Sequence, residues 1–390
     1  MKWSYRDVAL ALCTAALFVT VFGRLALSPV VPDIAGEFAV SNGRIGLALS
    51  GMWLAYALTQ LPSGILADRY GDRAVVFVSV AGTGAAALIV ALAPGFRVFA
   101  AGVVLLGGVA GLHYSVGTAV ITRLYERTGT AIGLHNSGAT IAGVLTPVIV
   151  AWVAVRYGWQ PAVATTVVVA APIALLIRMR LRDREPRHPN RPLTEGLAVG
   201  RARAVLARPA VGFTMVIAVI ADFTWQALAS FLPTFLVQYH GVSGTTAGVL
   251  FAGYFVAQGA LQVVVGAVAD RFGYDAAIAA CMIAGVGGIG LLIADLGLVA
   301  VGGGIVLLGA SMGFGAAVFP RLMSLLNDEN RGYGFGAFRT VYMVFAAAGP
   351  AVVGRVADAF GWPAAFGLLA GLLGLVVVLQ LLNRASGRNY

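Results

Sequence analysis

Charged residues are scarce in this sequence. Only 11% of its 390 residues are Asp, Glu, Lys or Arg, whereas 59% are hydrophobic. A water-soluble domain carries about 25% charged residues, so this chain has too few charges to cover a surface that faces water. The shortage excludes an ordinary soluble enzyme or binding module and predicts a protein of the lipid bilayer.

Cysteine is almost absent as well. The two cysteines, Cys13 and Cys281, both lie within apolar stretches. This number and placement support neither a disulfide framework nor a Cys/His metal site. The sequence also lacks a phosphate-binding Walker loop and a His-Glu metal motif, so we expect no cofactor, no metal and no enzymatic activity.

The charges that are present are mostly basic. The chain has 26 Lys and Arg against 16 Asp and Glu, a net charge of +10. The basic residues lie between apolar runs, where they set membrane topology, and do not form a nucleic-acid patch. When the N-terminus is placed in the cytoplasm, most of them fall on the cytoplasmic side. We therefore expect a multi-pass protein of the cell membrane with both termini cytoplasmic.

The chain contains twelve apolar runs, each long enough for one membrane-spanning helix. The first has a basic start, but no small-residue cleavage site follows, so we interpret it as a helix and not as a signal peptide. A polar segment rich in Arg and Pro, residues 179–208, predicts a partly disordered cytoplasmic linker. The runs lie near 7–31, 44–66, 74–93, 98–122, 130–155, 161–178, 210–236, 246–269, 276–294, 297–325, 334–354 and 362–383.

The two halves of the chain repeat each other. GILADRYG at 64–71 returns 202 residues later as GAVADRFG at 266–273, and Gly158-Trp159 returns as Gly361-Trp362. Six helices per half give both repeats the same membrane orientation. We predict an all-α membrane protein with twelve transmembrane helices in two pseudo-symmetric bundles, residues 1–178 and 209–390, and a cavity between the bundles.

These features resemble the major facilitator superfamily of secondary transporters over essentially the whole chain. The resemblance implies that the loop between helices 2 and 3 stabilises one state of alternating access; a solvated turn that only fixes topology is the alternative. Asp72 departs from the family, which usually has a base there. The family has a signature motif in this loop, and a weaker second copy occurs in the second half of the chain. The residues that match the two copies are Gly64, Asp68, Arg69, Gly71, Arg73, Asp270 and Arg271.

Asp222 is the acidic residue that the pattern places well inside a helix, roughly 16 Å from the start of the seventh run. An ionisable group at that depth is costly and usually lines a transport pathway or pairs with another charge. We predict that Asp222 couples transport to protons; a permanent ion pair with an internal arginine is the alternative. Gln226 follows one helical turn later, where its amide could orient a polar ligand.

Arg24 precedes Pro32 by eight residues. This spacing resembles helix 1 of the superfamily's organic-anion/cation symporters and organophosphate antiporters, whose arginine there binds the carboxylate or phosphate of the substrate. A guanidinium suits such an anion because it forms bidentate hydrogen bonds. Trp225 replaces the second arginine of the phosphate antiporters, which favours a monocarboxylate. A structural pair with Asp222, or snorkelling to the surface, are the alternatives for Arg24.

Four further residues join Trp225 and Gln226 as candidate substrate contacts. The histidine among them could relay protons or bind an anion, but could also be a packing residue. Arg339 could instead snorkel to the cytoplasm. Asn136 occupies the equivalent position in the first repeat. Trp53 and Tyr56 could line the cavity, but we interpret them primarily as residues that pack against lipid or another helix. The four candidates are His113, Tyr114, Asn136 and Arg339.

The sequence and the resemblance together predict a secondary active transporter that imports a small organic anion with protons by alternating access. The resemblance also implies a monomer. The alternative is a proton-driven exporter of drugs or metabolites. Such exporters carry a Gly-Pro signature in helix 5, where this chain has Thr146-Pro147, so the exporter interpretation is weaker. A non-transporting membrane sensor has less support, because no soluble signalling domain is recognisable.

Overall fold

A computed structural model describes residues 4–183, 204–327 and 331–387, and the regular structure within these ranges is helical. Most of the predicted linker, residues 179–208, lies outside them. The first half contains α1 (Tyr5–Leu25), α2 (Val31–Glu37), α3 (Asn42–Tyr70), α4 (Asp72–Ala91), α5 (Phe96–Gly111), α6 (His113–Leu124), α7 (Thr128–Tyr157) and α8 (Trp159–Arg180). The second half contains α9 (Pro209–His240), α10 (Gly244–Phe272), α11 (Tyr274–Ile293), α12 (Leu298–Ser311), α13 (Gly315–Ser324), α14 (Arg331–Ala346), α15 (Gly349–Phe360) and α16 (Trp362–Ala385).

The predicted membrane spans are present as helices. Within the described ranges, eleven segments are long and apolar enough to cross a membrane. The remaining predicted span coincides with α3, a continuous helix of 29 residues. The twelve-helix, all-α membrane architecture is therefore confirmed.

The chain divides into two compact units. The helices of the first half form one unit, and those of the second half form the other. The short segment Ser41–Leu47 at the start of α3 groups with the second unit. There the Asp358 carboxylate accepts hydrogen bonds from the backbone N–H groups of Asn42 and Gly43, at 3.1 and 2.7 Å. A carboxylate at a helix N-terminus satisfies donors that the helix itself leaves unpaired.

Each unit contains the same tryptophan contact. The indole N–H of Trp159 donates to the Glu37 carboxylate at 2.5 Å, and that of Trp362 donates to the Gln238 amide oxygen at 2.8 Å. The glycine before each tryptophan has a φ above +80°, which only glycine adopts without strain. The tryptophan of the repeated Gly-Trp pair thus connects the last helix of each unit to the end of its first membrane-spanning segment, and the sequence duplication is also a structural one.

Besides the eleventh run, which breaks between Ala346 and Gly349, two runs that the sequence presents as single helices are interrupted. The fourth run breaks between Gly111 and His113, and the tenth passes through a 3₁₀ turn at Met312–Phe314. The equivalent position of the breaks repeats between units. Glycine packing near each break brings backbones together: a β-carbon on Gly111 would lie 2.4 Å from the Tyr56 carbonyl oxygen. No proline marks either break, so the hydrophobic pattern alone does not predict it.

The first run also differs from the prediction of one helix. α1 ends at Leu25, a 3₁₀ turn follows at Ser28–Val30, and α2 continues to Glu37. Pro29 lies in the 3₁₀ turn and Pro32 near the start of α2. Because proline lacks an N–H group and clashes with the preceding turn, this segment cannot continue as a regular α-helix.

We expect Gly107→Ala to destabilise the first unit. A β-carbon at Gly107 would lie 2.0 Å from the carbonyl oxygen of Met52, which cannot move away because it belongs to helix α3. Overpacking of this kind should lower the melting temperature by about 5 °C or more. The matched control is Gly133→Ala in α7, where no neighbouring atom of the described residues lies within 4 Å of an added β-carbon. Equal melting temperatures for the two variants in detergent would contradict this packing.

Candidate functional site

Arg24 lies in the last turn of α1 and is 7% exposed. Its guanidinium carbon stands 3.9 Å from the centre of the Tyr56 ring and 5.0 Å from that of Trp53. Its Nε donates a hydrogen bond to the carbonyl oxygen of Thr20, one turn back, at 3.1 Å. The side chain is therefore held inside the first unit and directed back along α1, which does not match the snorkelling alternative.

The aromatic contacts of Arg24 come from α3. Trp53 and Tyr56 are three residues apart, so they share one face of that helix, and their rings meet edge to face at 6.2 Å. A desolvated cation over an aromatic face gains about 2 kcal/mol, which offsets part of the cost of burying the charge. The sequence left packing and the wall of a cavity as the alternatives for these two residues; in the structure their rings cover the arginine.

Asp222 and Gln226 form a polar pair on α9. The Gln226 amide donates to the Asp222 carboxylate at 2.6 Å, as the one-turn spacing predicts. Gln226 is fully buried, whereas Asp222 and Trp225 are half-buried. Tyr254 of α10 lies near Asp222. The Tyr254 hydroxyl is buried without a hydrogen-bond partner among the described residues, and nothing in its sequence context marked it as a site residue.

The remaining candidates divide between the two units. His113 is fully buried at the start of α6, and its ring centre lies 5.4 Å from that of His135 on α7. Tyr114 is half-buried, with its ring 6.2 Å from the His135 ring. Asn136 in the first unit and Arg339 in the second are half-buried on α7 and α14. Sequence reasoning missed His135, since its position in α7 alone resembles a packing residue.

The signature loop between α3 and α4 turns at Gly71, which has a φ of +87°. Asp68 and Arg69 lie in the last turn of α3, and Arg73 at the start of α4 pairs with Asp183. Asp72 is bonded to Arg123 at the end of α6, at 2.5 Å. The acid that departs from the family pattern therefore has its own basic partner inside the first unit.

The second unit repeats this ion pair. Gly273, with a φ of +88°, joins α10 to α11, and Asp275 in the first turn of α11 pairs with Arg321 of α13 at 2.8 Å. Asp270 and Arg271, the predicted second copy of the signature, lie exposed at the end of α10. In each unit an acid and an arginine thus connect the start of the third membrane-spanning segment to the end of the fourth.

A groove of about 520 Å³ follows α1 and α7 in the first unit. It is mostly apolar, and at one end the Tyr125 hydroxyl donates to the Asp7 carboxylate at 3.1 Å. Partial burial, and then this hydrogen bond, raise the pKa of Tyr125, so its phenol stays protonated at neutral pH. None of the residues predicted for the site lines this groove.

Comparison with known proteins agrees with this architecture. The model of the Major Facilitator Superfamily matches residues 13–221 and 214–388. The nucleoside transporter NupG, solved as a mutant, has a TM-score of 0.83 at 13% identity over 96% of this chain and 99% of its own. A bacterial homologue of the human lysosomal transporter Spinster, inward-facing and unoccupied, has a TM-score of 0.77 at 18% identity over 98% and 95%. At sequence identities this low, the structural similarity shows a common fold and nothing about the substrate.

Three relatives illustrate the range of named functions. The hexuronate transporter of Bacillus subtilis is 23% identical over 94% of this chain and 91% of its own length. The membrane sensor protein UhpC of Escherichia coli is 27% identical, but the match covers only 42% of this chain and 38% of that protein. A chloramphenicol efflux pump of Mycobacterium tuberculosis is 28% identical over 55% of each chain.

Proposed function

We propose that this chain, which belongs to the Major Facilitator Superfamily, moves a small organic anion across the cell membrane together with protons. Membership of the family makes it a multi-pass membrane transporter and not an enzyme. The anion, the protons and the direction of import go beyond the family and rest on individual residues. The observation that carries the proposal is the buried, aromatic-lined guanidinium of Arg24.

Arg24 suits a carboxylate for chemical reasons. Its Nε is occupied by the Thr20 carbonyl, and the Tyr56 and Trp53 rings cover its guanidinium. This arrangement fixes the plane of the guanidinium before a ligand arrives, so less side-chain entropy is lost on binding. A planar carboxylate can meet the fixed plane through parallel N–H···O bonds. We therefore assign Arg24 as the group that binds the anion.

We assign Asp222 as the residue that binds the coupling proton. Its carboxylate is half-buried within a membrane-spanning helix and accepts the Gln226 amide. Protonation removes a charge that is costly in this environment, so a proton and a conformational change can be linked at this residue. Asp222 would be charged when the carrier is empty and protonated when it carries substrate. Rocking of two repeats about a binding site is the general way in which such folds transport.

A monocarboxylate is favoured over a phosphate ester. The position of a second arginine in the phosphate antiporters is occupied by Trp225, which carries no charge to balance a doubly charged phosphate. The similarity to a hexuronate transporter over nearly the full length supports a sugar acid as the first substrate class to test. Tyr114, Asn136, Arg339 and the Gln226 amide remain candidates for contacts with its hydroxyl groups.

A thermal-stability screen of the purified protein tests this assignment. The panel contains a hexuronate, the matching neutral hexose, short monocarboxylates, a sugar phosphate and cationic drugs. A ligand at 100 times its dissociation constant adds about 2.7 kcal/mol, which should raise the melting temperature by several degrees. We expect carboxylates to stabilise the protein and the neutral hexose to leave it unchanged. Stabilisation by the neutral hexose or the cationic drugs alone would overturn the anion proposal.

A proton-driven exporter of drugs or metabolites is the second candidate. It is favoured by the similarity of half the chain to a chloramphenicol efflux pump. Exporters of hydrophobic compounds need no buried guanidinium, so Arg24 would then be structural. Stabilisation by chloramphenicol that survives Arg24→Gln would support this candidate, and loss of that stabilisation would argue against it.

A further inference from the structure

Two buried histidines face each other in the first unit and have no place in the mechanism above. His113 and His135 are each 0% exposed, and their ring centres are 5.4 Å apart with an angle of 58° between the planes. Both lie within membrane-spanning segments. Ionisable groups at such positions usually serve a function, because burying them in the membrane is costly.

All four ring nitrogens of this pair are buried without a hydrogen-bond partner among the described residues. The backbone of Cys13 also lies near the His113 ring. A neutral imidazole carries one donor and one acceptor, and leaving both unmet in an apolar interior is unfavourable. The natural partner for each ring is the other ring.

The geometry allows the two rings to share a proton. A ring nitrogen lies about 1 Å from its ring centre, so nitrogens of rings 5.4 Å apart can approach to about 3 Å, a hydrogen-bond distance. Reaching it requires only rotation about the broad second side-chain torsion. One protonated imidazole then donates to its neutral neighbour, a charge-assisted bond that is stronger than a neutral one.

The second unit has other residues at the two positions that correspond to His113 and His135, so packing in this fold does not require histidine there. At the offset of 202 residues that relates Gly107 to Gly309, His113 corresponds to Gly315; at the offset of 203 that relates Gly133 to Gly336, His135 corresponds to Phe338. Phe338 is fully buried in the same fold. The paired imidazoles are therefore specific to the first unit.

Few other charged or titratable groups face the pair from the elements packed around it. α1 contributes the Cys13 thiol, and α6 itself contributes the half-buried Tyr114 beside His135. α4 contributes Asp72, which is paired with Arg123 about 15 Å farther along α6. The remaining charges of α1, α4, α5, α7 and α8 lie near helix ends: Arg6, Asp7, Arg24, Arg73, Arg97, Arg156, Arg178 and Arg180.

We propose that His113 and His135 form a proton-binding site in the first unit, which holds a single proton shared between the two rings. Each histidine is followed by a half-buried polar residue, Tyr114 and Asn136, which offers a route for the proton into the pair. A role of this pair in transport rests on the proposed function. In that role the pair would be a second site, besides Asp222, that couples protons to the anion.

Nitrogen NMR of the full chain tests proton binding without any substrate. The other two histidines are replaced as His188→Gln, outside the described residues, and His240→Gln, so that only the pair carries ¹⁵N-labelled imidazole. As the pH is lowered from 8, we expect both rings to change together at one midpoint, with one proton taken up per pair. Two independent midpoints, or two rings that stay neutral, would overturn the proposal.

Transport then distinguishes this proposal from the assignment of Arg24. His135→Phe copies the residue that the second unit has at the equivalent buried position. We expect this variant to bind the carboxylate with unchanged thermal stabilisation but to lose at least tenfold of its pH-driven accumulation. His240→Gln should retain both. Unchanged accumulation in His135→Phe would contradict a coupling role for the pair. A wild-type protein that does not bind carboxylates would instead contradict the proposed function.

Discussion

Arg24→Gln is expected to lower the affinity for the transported anion by about 30-fold or more. Leaving one partner of a buried, hydrogen-bonded charge pair without the other costs about 2–5 kcal/mol, and each 1.4 kcal/mol is a factor of ten. Glutamine keeps a polar amide but not the charge. The loss should appear as the disappearance of carboxylate-dependent thermal stabilisation and as a raised half-saturation concentration for uptake.

Two variants make this result specific to Arg24. Arg24→Lys keeps the charge but not the planar fork, so its affinity should lie between those of wild type and Arg24→Gln. Arg156→Gln is the matched control, because Arg156 is also stacked on a tryptophan, 4.3 Å from the Trp152 ring centre, but is exposed. If Arg24→Gln binds carboxylates as tightly as Arg156→Gln, Arg24 is a structural residue.

Asp222→Asn is expected to separate anion transport from the proton gradient. Asparagine can still accept the Gln226 hydrogen bond but cannot bind a transported proton. In proteoliposomes, exchange of labelled anion for unlabelled anion should continue. Accumulation driven by an imposed pH gradient should fall to simple equilibration, a loss of about tenfold for a gradient of one pH unit.

The control for Asp222 is Asp295→Asn. Asp295 is also hydrogen-bonded, to His240 at 3.1 Å, but its side chain is exposed outside the spanning helices. This variant should accumulate anion as the wild type does. Full pH-driven accumulation by Asp222→Asn would show that the coupling proton binds elsewhere, and the His113–His135 pair would be the next site to examine.

Much of the fold follows from the sequence. Long apolar runs of the length of the bilayer, separated by turns, define all twelve spans, and the shared offset between the halves predicts the repeated Gly-Trp junctions. The breaks at Leu112 and at Met312–Phe314 are not predictable in this way. They arise where helices approach through glycines, and hydrophobic pattern carries no information on which helix faces meet.

The candidate site was predictable only in part. Arg24 and Asp222 stand out because a charge inside a membrane helix is rare, and the one-turn spacing predicts the bond from Gln226 to Asp222. The stacking of Tyr56 on Arg24, and the pairing of His135 with His113, join residues of different helices. Such partners depend on how helices rotate against each other, which a single sequence does not specify.

Uptake of a hexuronate into proteoliposomes under an imposed pH gradient tests the central claim most directly. For one proton per monocarboxylate, a gradient of one pH unit supports about tenfold accumulation on the alkaline side. The neutral hexose, which differs in lacking the carboxylate, should not accumulate. We predict accumulation of the hexuronate by the wild type and none by Arg24→Gln. Accumulation that ignores the pH gradient, or that is equal in Arg24→Gln, would contradict a proton-coupled anion transporter built on this arginine.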